Sequence, residues 1–181
     1  MLFVIPGKRL RLFPRLLSPV AKINVLCVTK KSANPPPAGL LVIGYGNELR
    51  SDDGVGPRIA AAVAEWNLDG VRARGCHQLA PELADPIASA RLVVFVDAAV
   101  DAPAIVRLRK VKSQDSVQIM THGSDPQSLM GLAKQVFGRC PPAWWLTIPV
   151  ENLDFGETLS PLARRGMQVA LKKIRAMAGR R

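Results

Sequence analysis

The apolar residues from Gly39 onward fall into short continuous runs and into stretches with helical spacing, and the two kinds alternate along the chain. Runs that are typical of buried strands occupy 40–43, 71–73, 92–96 and 144–148. The run 92–96 is apolar on both faces, as is usual for a central parallel strand. Residues 105–111 instead alternate between apolar and polar and predict an edge strand.

Helical spacing lies between these runs and predicts four helices. They cover 55–66, 83–87, 126–137 and a last stretch that Ser160 and Pro161 open. Asp125 followed by Pro126 is typical of a helix start, because the aspartate accepts backbone hydrogen bonds and the proline needs none. Alternating strands and helices predict the α/β class, here a single-domain three-layer α/β/α sandwich with a mostly parallel twisted sheet. Functional sites in such folds lie just beyond the carboxyl ends of the strands.

The net charge of +11 is concentrated at the two ends of the chain. Residues 1–39 hold seven Lys and Arg and no acid, and 164–181 hold seven more and no acid. The body between them has eleven basic and fourteen acidic residues. A nucleic-acid-binding face would carry its Lys and Arg on the folded surface. The composition therefore predicts no nucleic-acid partner, and binding through the basic ends is the weakest hypothesis.

Residues 1–38 differ from the rest, since they hold six of the fifteen prolines. They contain neither the apolar core nor the cleavage site of a secretory signal. We therefore expect a basic, Pro-rich arm without ordered structure over 1–38 and one domain over 39–181. No apolar run approaches the ~20 residues of a membrane helix. The three cysteines are far apart, which argues against a disulfide scaffold and favours a reducing cytoplasm.

A glycine-rich loop follows the first predicted strand. Gly44 and Gly46 suggest a dinucleotide site, but Leu49 stands where the third glycine is required. The loop also lacks the Gly-Lys-Ser/Thr of a phosphate-binding loop, and it holds three acids whose charge would repel a phosphate. These acids are Glu48, Asp52 and Asp53. Capping of the following helix would account for one of the two adjacent aspartates, not for both.

Three predicted strand ends each supply a side chain that can bind a transition metal. Asp53 follows the first strand, Asp97 follows the run 92–96, and His122 follows the segment with the predicted edge strand. Taken singly, Asp97 could be a turn residue and His122 a loop or core histidine. Gathered at one edge of a parallel sheet, two carboxylates and one imidazole suit Zn²⁺, Ni²⁺ or Fe²⁺ better than Ca²⁺ or Mg²⁺.

Four sequence blocks, in order, resemble those of a known family. They are the Gly-Tyr-Gly-Asn turn with the Asp-Asp-Gly-Val-Gly run after it, the strand end at Asp97, His122 with Pro126 and Leu129, and the segment 149–160. Through them residues 40–178 are similar to the [NiFe]-hydrogenase maturation proteases. Members of that family remove a C-terminal extension from the hydrogenase large-subunit precursor after nickel insertion.

The resemblance implies that Asp53, Asp97 and His122 are the catalytic, metal-contacting residues. Asp53 stands where relatives often have glutamate, so its side chain is one methylene shorter. The three would recognise nickel already lodged in the precursor rather than hold a permanent cofactor. A metal-polarised water with a carboxylate as base is one mechanism consistent with this. The implied protein is a cytoplasmic endopeptidase, monomeric outside its complex with the precursor, with no nucleic-acid or membrane partner.

The segment 75–83 departs from the Gly/Thr-rich stretch of well-known relatives. We interpret it as a substrate-facing loop that affects which hydrogenase is recognised. The alternative is a plain strand-to-helix connection with Glu82 near a helix start. The candidate substrate-loop residues are Gly46, Asn47, Asp52, His77 and Glu82.

Two hypotheses of another class stay open beside the protease. The chain could be a non-catalytic, chaperone-like protein of the same fold that binds metal or precursor. It could also be a nucleotide-binding module that uses the loop of Gly44 and Gly46. Calorimetry with Ni²⁺ and with nucleotides distinguishes them.

Overall fold

The computed structural model describes residues 38–100, 103–112 and 125–179, all within one compact unit that spans 34–181. The strands are β1 (Ala38–Tyr45), β2 (Val71–Cys76), β3 (Ala90–Ala99), β4 (Arg107–Val111) and β5 (Ala143–Pro149). The helices are α1 (Val55–Ala64), α2 (Ala84–Ala88), α3 (Pro126–Phe137) and α4 (Pro161–Ala178), and short 3₁₀ turns precede α1 (Ser51–Gly54) and α2 (Pro81–Leu83). Residues 1–37 of the predicted arm lie outside the described part, and Ala38 begins β1.

The five strands form one sheet in the order β2-β1-β3-β5-β4. The first four run parallel, whereas β4 is antiparallel to β5 and lies at the edge. The predicted edge strand is therefore confirmed, and its direction is a feature that the sequence pattern left open. The mostly parallel sheet confirms the predicted α/β class.

Alternate strand residues point to opposite sides of the sheet. Both sides of this sheet carry apolar residues, and helices cover each of them. On one face Val42, Val94 and Leu146 pack in the same cluster as Ile59 of α1 and Ile174 of α4. On the other face the strand residues Ile43 and Phe95 pack with Ile87 of α2 and Leu129 of α3. Two apolar cores on either side of a central sheet make the predicted three-layer sandwich.

The predicted starts of α3 and α4 are confirmed by their caps. Asp125 Oδ1 accepts hydrogen bonds from the backbone N–H groups of Gln127 at 2.7 Å and Ser128 at 3.0 Å. Ser160 Oγ accepts from the N–H of Ala163 at 3.1 Å. Each cap satisfies backbone donors that have no partner inside the first helical turn.

Two local expectations differ from the structure. The N-cap of α1 is Gly54, which makes no side-chain hydrogen bond, so neither Asp52 nor Asp53 caps that helix. Asp97 is not a turn residue, because β3 continues to Ala99.

Over the described ranges, the search for a helix long and apolar enough to cross a membrane gave no candidate.

Candidate active site

The carboxyl ends of β1 and β3 place an acid and a phenol side by side. Gly44 pairs with Val96 in the parallel register, so Tyr45 and Asp97 come next on adjacent strands and share a face. The Tyr45 hydroxyl donates a hydrogen bond to Asp97 Oδ2 at 2.8 Å. This edge of the sheet is where the α/β architecture predicts a site.

Asp97 is a partly buried carboxylate with an altered acidity. Burial raises its pKa to about 6, and the negative charge of Asp53 acts in the same direction. Hydrogen bonds from the Tyr45 hydroxyl and the Ala98 amide oppose this change. A buried acid whose pKa is raised by desolvation and a nearby like charge is a frequent feature of functional sites.

The loop after β1 holds Asp53 at the same edge. The backbone N–H of Asn47 donates to Asp53 Oδ2 at 2.8 Å. Gly46 has a φ of +139°, and a Cβ there would collide with the carbonyl oxygen of Asp53. Only glycine fits this tight turn, which folds the loop back on itself. The structure thus brings Asp53 and Asp97, two of the three predicted metal ligands, within electrostatic reach of each other.

His122, the third predicted ligand, lies outside the described residues. Over the part of the chain that the structure describes, no group of three or more His, Cys, Asp and Glu could hold a metal ion. β4, the strand that precedes His122 in the sequence, is antiparallel, so the expected parallel strand end before His122 is absent from the described sheet. The carboxyl end of β4 therefore lies at the opposite edge of the sheet from Asp97. The chain returns by Asp125, whose charge contributes to the raised pKa of Tyr45.

Asp52 has a different environment from its neighbour Asp53, since its side chain is fully buried. Its Oδ2 accepts hydrogen bonds from the N–H groups of Glu151 at 3.1 Å and Asn152 at 3.0 Å, and Oδ1 accepts from that of Ser160 at 2.6 Å. Burial alone would raise its pKa, but these backbone donors outweigh it and hold the pKa below the usual range. Asp52 is one of the candidate substrate-loop residues. In the structure its buried carboxylate accepts hydrogen bonds from the loop before α4.

Further contacts bind this loop, residues 150–160, to the segment 49–58. The backbones of Ser51 and Leu49 pair with Gly156, as donor at 2.7 Å and acceptor at 2.9 Å respectively. Arg50 donates from Nε to the carbonyl of Leu153, and Arg58 donates to that of Glu157. From α4, Arg164 donates to the carbonyl of Leu159. We call the loop and its partners the Asp52 clasp. It joins two of the blocks described in the sequence, the Asp-Asp-Gly-Val-Gly run after the first strand and the segment 149–160.

The other candidate substrate-loop residues lie around an open groove. Gly46, Asn47 and His77 line a cavity of about 640 Å³ between α1, β2 and the loop after β1. Glu82 is exposed and lies in the 3₁₀ turn Pro81–Leu83 that precedes α2, which matches the expected helix start. Cys76 also lines the groove, but its thiol donates to the carbonyl of Gly44 at 3.8 Å and burial raises its pKa. It is therefore not an activated nucleophile.

The glycines of the first loop serve packing and turn geometry. A Cβ on Gly44 would collide with the Gly56 carbonyl, and one on Gly56 with the carbonyls of Tyr45 and Val96. These two glycines let α1 approach β1 and β3 closely. The Asn47 amide, a group that a phosphate would need, already donates to Asp53. The nucleotide hypothesis gains no support from this loop.

Two residues at the site are absent from the sequence-based predictions. One is Tyr45, the only tyrosine of the chain. The other is Trp145 of β5, whose buried Nε1 has no hydrogen-bonding partner among the described residues. Trp145 lies near Asp97 and Tyr45, and its N–H group opposes part of the rise in both pKa values. Aromatic residues at strand ends are common core residues, so no sequence pattern indicated these contacts.

The described fold is that of several solved maturation proteases. The [NiFe] hydrogenase maturation protease HycI from Thermococcus kodakarensis matches with a TM-score of 0.62 and 20% identity over 78% of this chain and 92% of its own. A hydrogenase 2 maturation peptidase from Thaumarchaeota archaeon SCGC_AB-539-E09 gives 0.60 and 21% over 77% and 97%. The E. coli hydrogenase maturating endopeptidase HybD gives 0.57 and 24% over 76% and 90%.

At these identities the likeness establishes the fold, and with it the predicted structural resemblance to the [NiFe] hydrogenase maturation proteases. No family model matches the sequence, and no curated protein matches it either.

Proposed function

We propose that this protein is an endopeptidase that removes the C-terminal extension of a [NiFe]-hydrogenase large-subunit precursor after nickel insertion. The observation that carries the proposal is the pair of carboxylates, Asp53 and Asp97, at the carboxyl edge of a sheet whose fold matches maturation proteases. The proteins named as maturation endopeptidases have nearly their whole length covered by this chain.

Nickel enters this proposal as cargo of the substrate. Asp53 and Asp97 supply oxygen ligands, and His122, at its sequence position three residues before the cap Asp125, supplies the imidazole. The negative charge of Asp53 contributes to the raised pKa of Asp97, and an arriving cation would relieve the repulsion between the two carboxylates. A precursor without nickel lacks that charge and binds less well. Cleavage would then depend on metal insertion.

The Asp52 clasp supports the same proposal by making the rim of the site rigid. The loop before α4 is fixed by hydrogen bonds from Asp52 and from arginine side chains, so little conformational entropy is lost when a large substrate docks there. A cytoplasmic location fits the two described cysteines, Cys76 and Cys140, which are free thiols.

The test is incubation of the purified protein with the nickel-loaded precursor and with its nickel-free form, followed by mass measurement. We expect a shortened precursor from the loaded form only. The variants Asp53→Asn, Asp97→Asn and His122→Ala should each slow formation of the product strongly, whereas Asp69→Asn, which changes an exposed carboxylate beside the amino end of β2, should process normally. Equal processing by all four variants would remove the basis of the proposal.

A non-catalytic, chaperone-like role gives a different result in the same experiment. The precursor would keep its mass, and the protein would co-elute with the nickel-loaded form in gel filtration. Binding that requires Asp53 and Asp97 without any cleavage would favour that role.

A further inference from the structure

Tyr45 makes a contact that its position in the core does not require. Its ring lies on the face of the sheet covered by α2 and α3, partly buried with Cys76 and Trp145 around the second core. A phenylalanine would fill this space equally well. A buried hydroxyl is costly unless it has a partner, and the partner of Tyr45 is Asp97 Oδ2 at 2.8 Å.

The phenol is the donor in this pair. A carboxylate oxygen offers only acceptor sites, so the Tyr45 O–H group donates and Asp97 Oδ2 accepts. The β1 side of the Asp97 carboxylate is therefore held by a side chain of the adjacent strand.

Asp97 has an aromatic neighbour on its other side in the sheet. β3 lies between β1 and β5, and Trp145 of β5 is a diagonal neighbour of Asp97 on the same face. The buried indole N–H of Trp145 lacks an acceptor among the described residues, so the side-chain hydrogen bond that the geometry gives Asp97 is the one from Tyr45. Residues that hydrogen-bond a metal ligand commonly fix its orientation.

We propose that Tyr45 is a positioning residue that orients the Asp97 carboxylate toward the nickel carried by the substrate. The inference rests on the proposed function. Tyr45 does not touch the substrate itself; it restricts the side-chain rotation of Asp97 so that the second oxygen is presented in one orientation. Loss of the hydroxyl would leave Asp97 charged but less ordered.

The experiment compares Tyr45→Phe with the wild-type protein on the nickel-loaded precursor. Since partners of metal ligands typically contribute 10–100-fold, kcat should fall about tenfold while KM for the precursor changes less than about twofold. Calorimetry with Ni²⁺ alone should show an affinity about tenfold weaker for Tyr45→Phe. Wild-type kcat in the variant would overturn the inference.

A matched control removes another hydroxyl with the same chemistry. Ser128 Oγ donates to a carboxylate oxygen of Asp125, also at 2.8 Å, but that pair caps α3. Ser128→Ala should therefore keep wild-type kcat. Thermal unfolding of both variants shows whether either has lost its fold.

A double-mutant cycle keeps the inference testable if Tyr45→Phe also lowers stability. In an Asp97→Asn background, Tyr45→Phe should cause no further loss of residual activity, because the hydroxyl acts only through Asp97. Independent, multiplicative losses would contradict the positioning role. If Asp97→Asn alone processes normally, the proposed function fails and this inference fails with it. A large loss in Asp97→Asn together with wild-type kcat in Tyr45→Phe overturns the inference alone.

Discussion

Asp52 and Asp97 are two desolvated acids of one domain, and their surroundings differ in a way that separates structure from function. The Asp52 carboxylate receives three backbone N–H groups from the loop before α4, and its pKa is held down. The Asp97 carboxylate receives the Tyr45 hydroxyl and the Ala98 amide, lies near the like charge of Asp53, and its pKa still rises to about 6. The first is stable as an anion, whereas the second still gains from a positive charge. The comparison teaches that a buried acid with complete hydrogen bonding supports the fold, and one with a deficit is a candidate for binding.

The largest expected effect comes from Asp97→Asn. Removing the charge should lower the processing rate about 1000-fold, within the range seen for lost acid–base groups. The same change should leave the free energy of unfolding at pH 7.5 unchanged or about 1 kcal/mol higher, because burying that charge is costly. Mass measurement of processed precursor and urea unfolding test the two effects. A variant that is both active and unstable would reverse the comparison.

Asp52→Ala should give the opposite result. Three N–H groups that donate to the buried Asp52 carboxylate lose their acceptor, and at roughly 1–3 kcal/mol for each unsatisfied group the free energy of unfolding should fall by about 3 kcal/mol. The folded fraction should still process the precursor, since Asp52 has no exposed oxygen. Denaturant unfolding and activity per folded molecule are the measurements. An Asp52→Ala variant with normal stability and no activity would instead indicate a direct role at the site.

The two acids should also differ in how stability depends on pH. The folded pKa of Asp97, about 6, lies above the ordinary aspartate pKa of 3.8, so its contribution to stability is complete below pH 3.8 and is lost as pH rises toward 6. The pKa of Asp52 is lowered, so its contribution is present above 3.8 and is lost as pH falls through the folded pKa.

Unfolding measured from pH 3 to 8 tests these signs. Relative to wild type, Asp97→Asn should gain stability as pH rises from 4 to 6, and Asp52→Ala should lose its disadvantage below pH 3.8. A flat difference between wild type and Asp97→Asn across that range would show that the charge is not buried in the folded protein.

The smallest expected effect is that of Ser160→Ala, which sharpens the description of the clasp. The change removes the side-chain cap of α4 and should cost about 1 kcal/mol. The backbone N–H of Ser160 still donates to Asp52, so the clasp stays in place. The free energy of unfolding measured in urea should therefore be clearly higher for Ser160→Ala than for Asp52→Ala. Equal losses would mean that the cap and the clasp form one cooperative unit.

Apolar runs and helix-capping residues predicted most of the fold, because both depend on residues that are close together in the sequence. The apolar run 92–96 lies at the centre of β3, and the Asp125 and Ser160 caps lie where their prolines indicated. Strand ends were less accurate, since β3 extends to Ala99 through hydrogen bonds with β5. Those bonds join residues about 50 positions apart and leave no local pattern.

The candidate site was predictable in part. The sequence, with the family resemblance, singled out Asp53 and Asp97, and the structure brings them near each other at the predicted edge. The role of His122 stays a prediction outside the described residues. The direction of β4 could not be read from its alternating pattern, because a half-buried edge strand has the same period in either direction.

What the sequence determined by itself is the class of fold, the order of its elements and the acids that follow its strands, because spacing and capping depend on near neighbours. What the tertiary structure decided is the surroundings of each acid. Asp52 and Asp53 are adjacent in the chain, yet the first lies inside the clasp and the charge of the second acts on Asp97, since charge and burial depend on residues that only folding brings together.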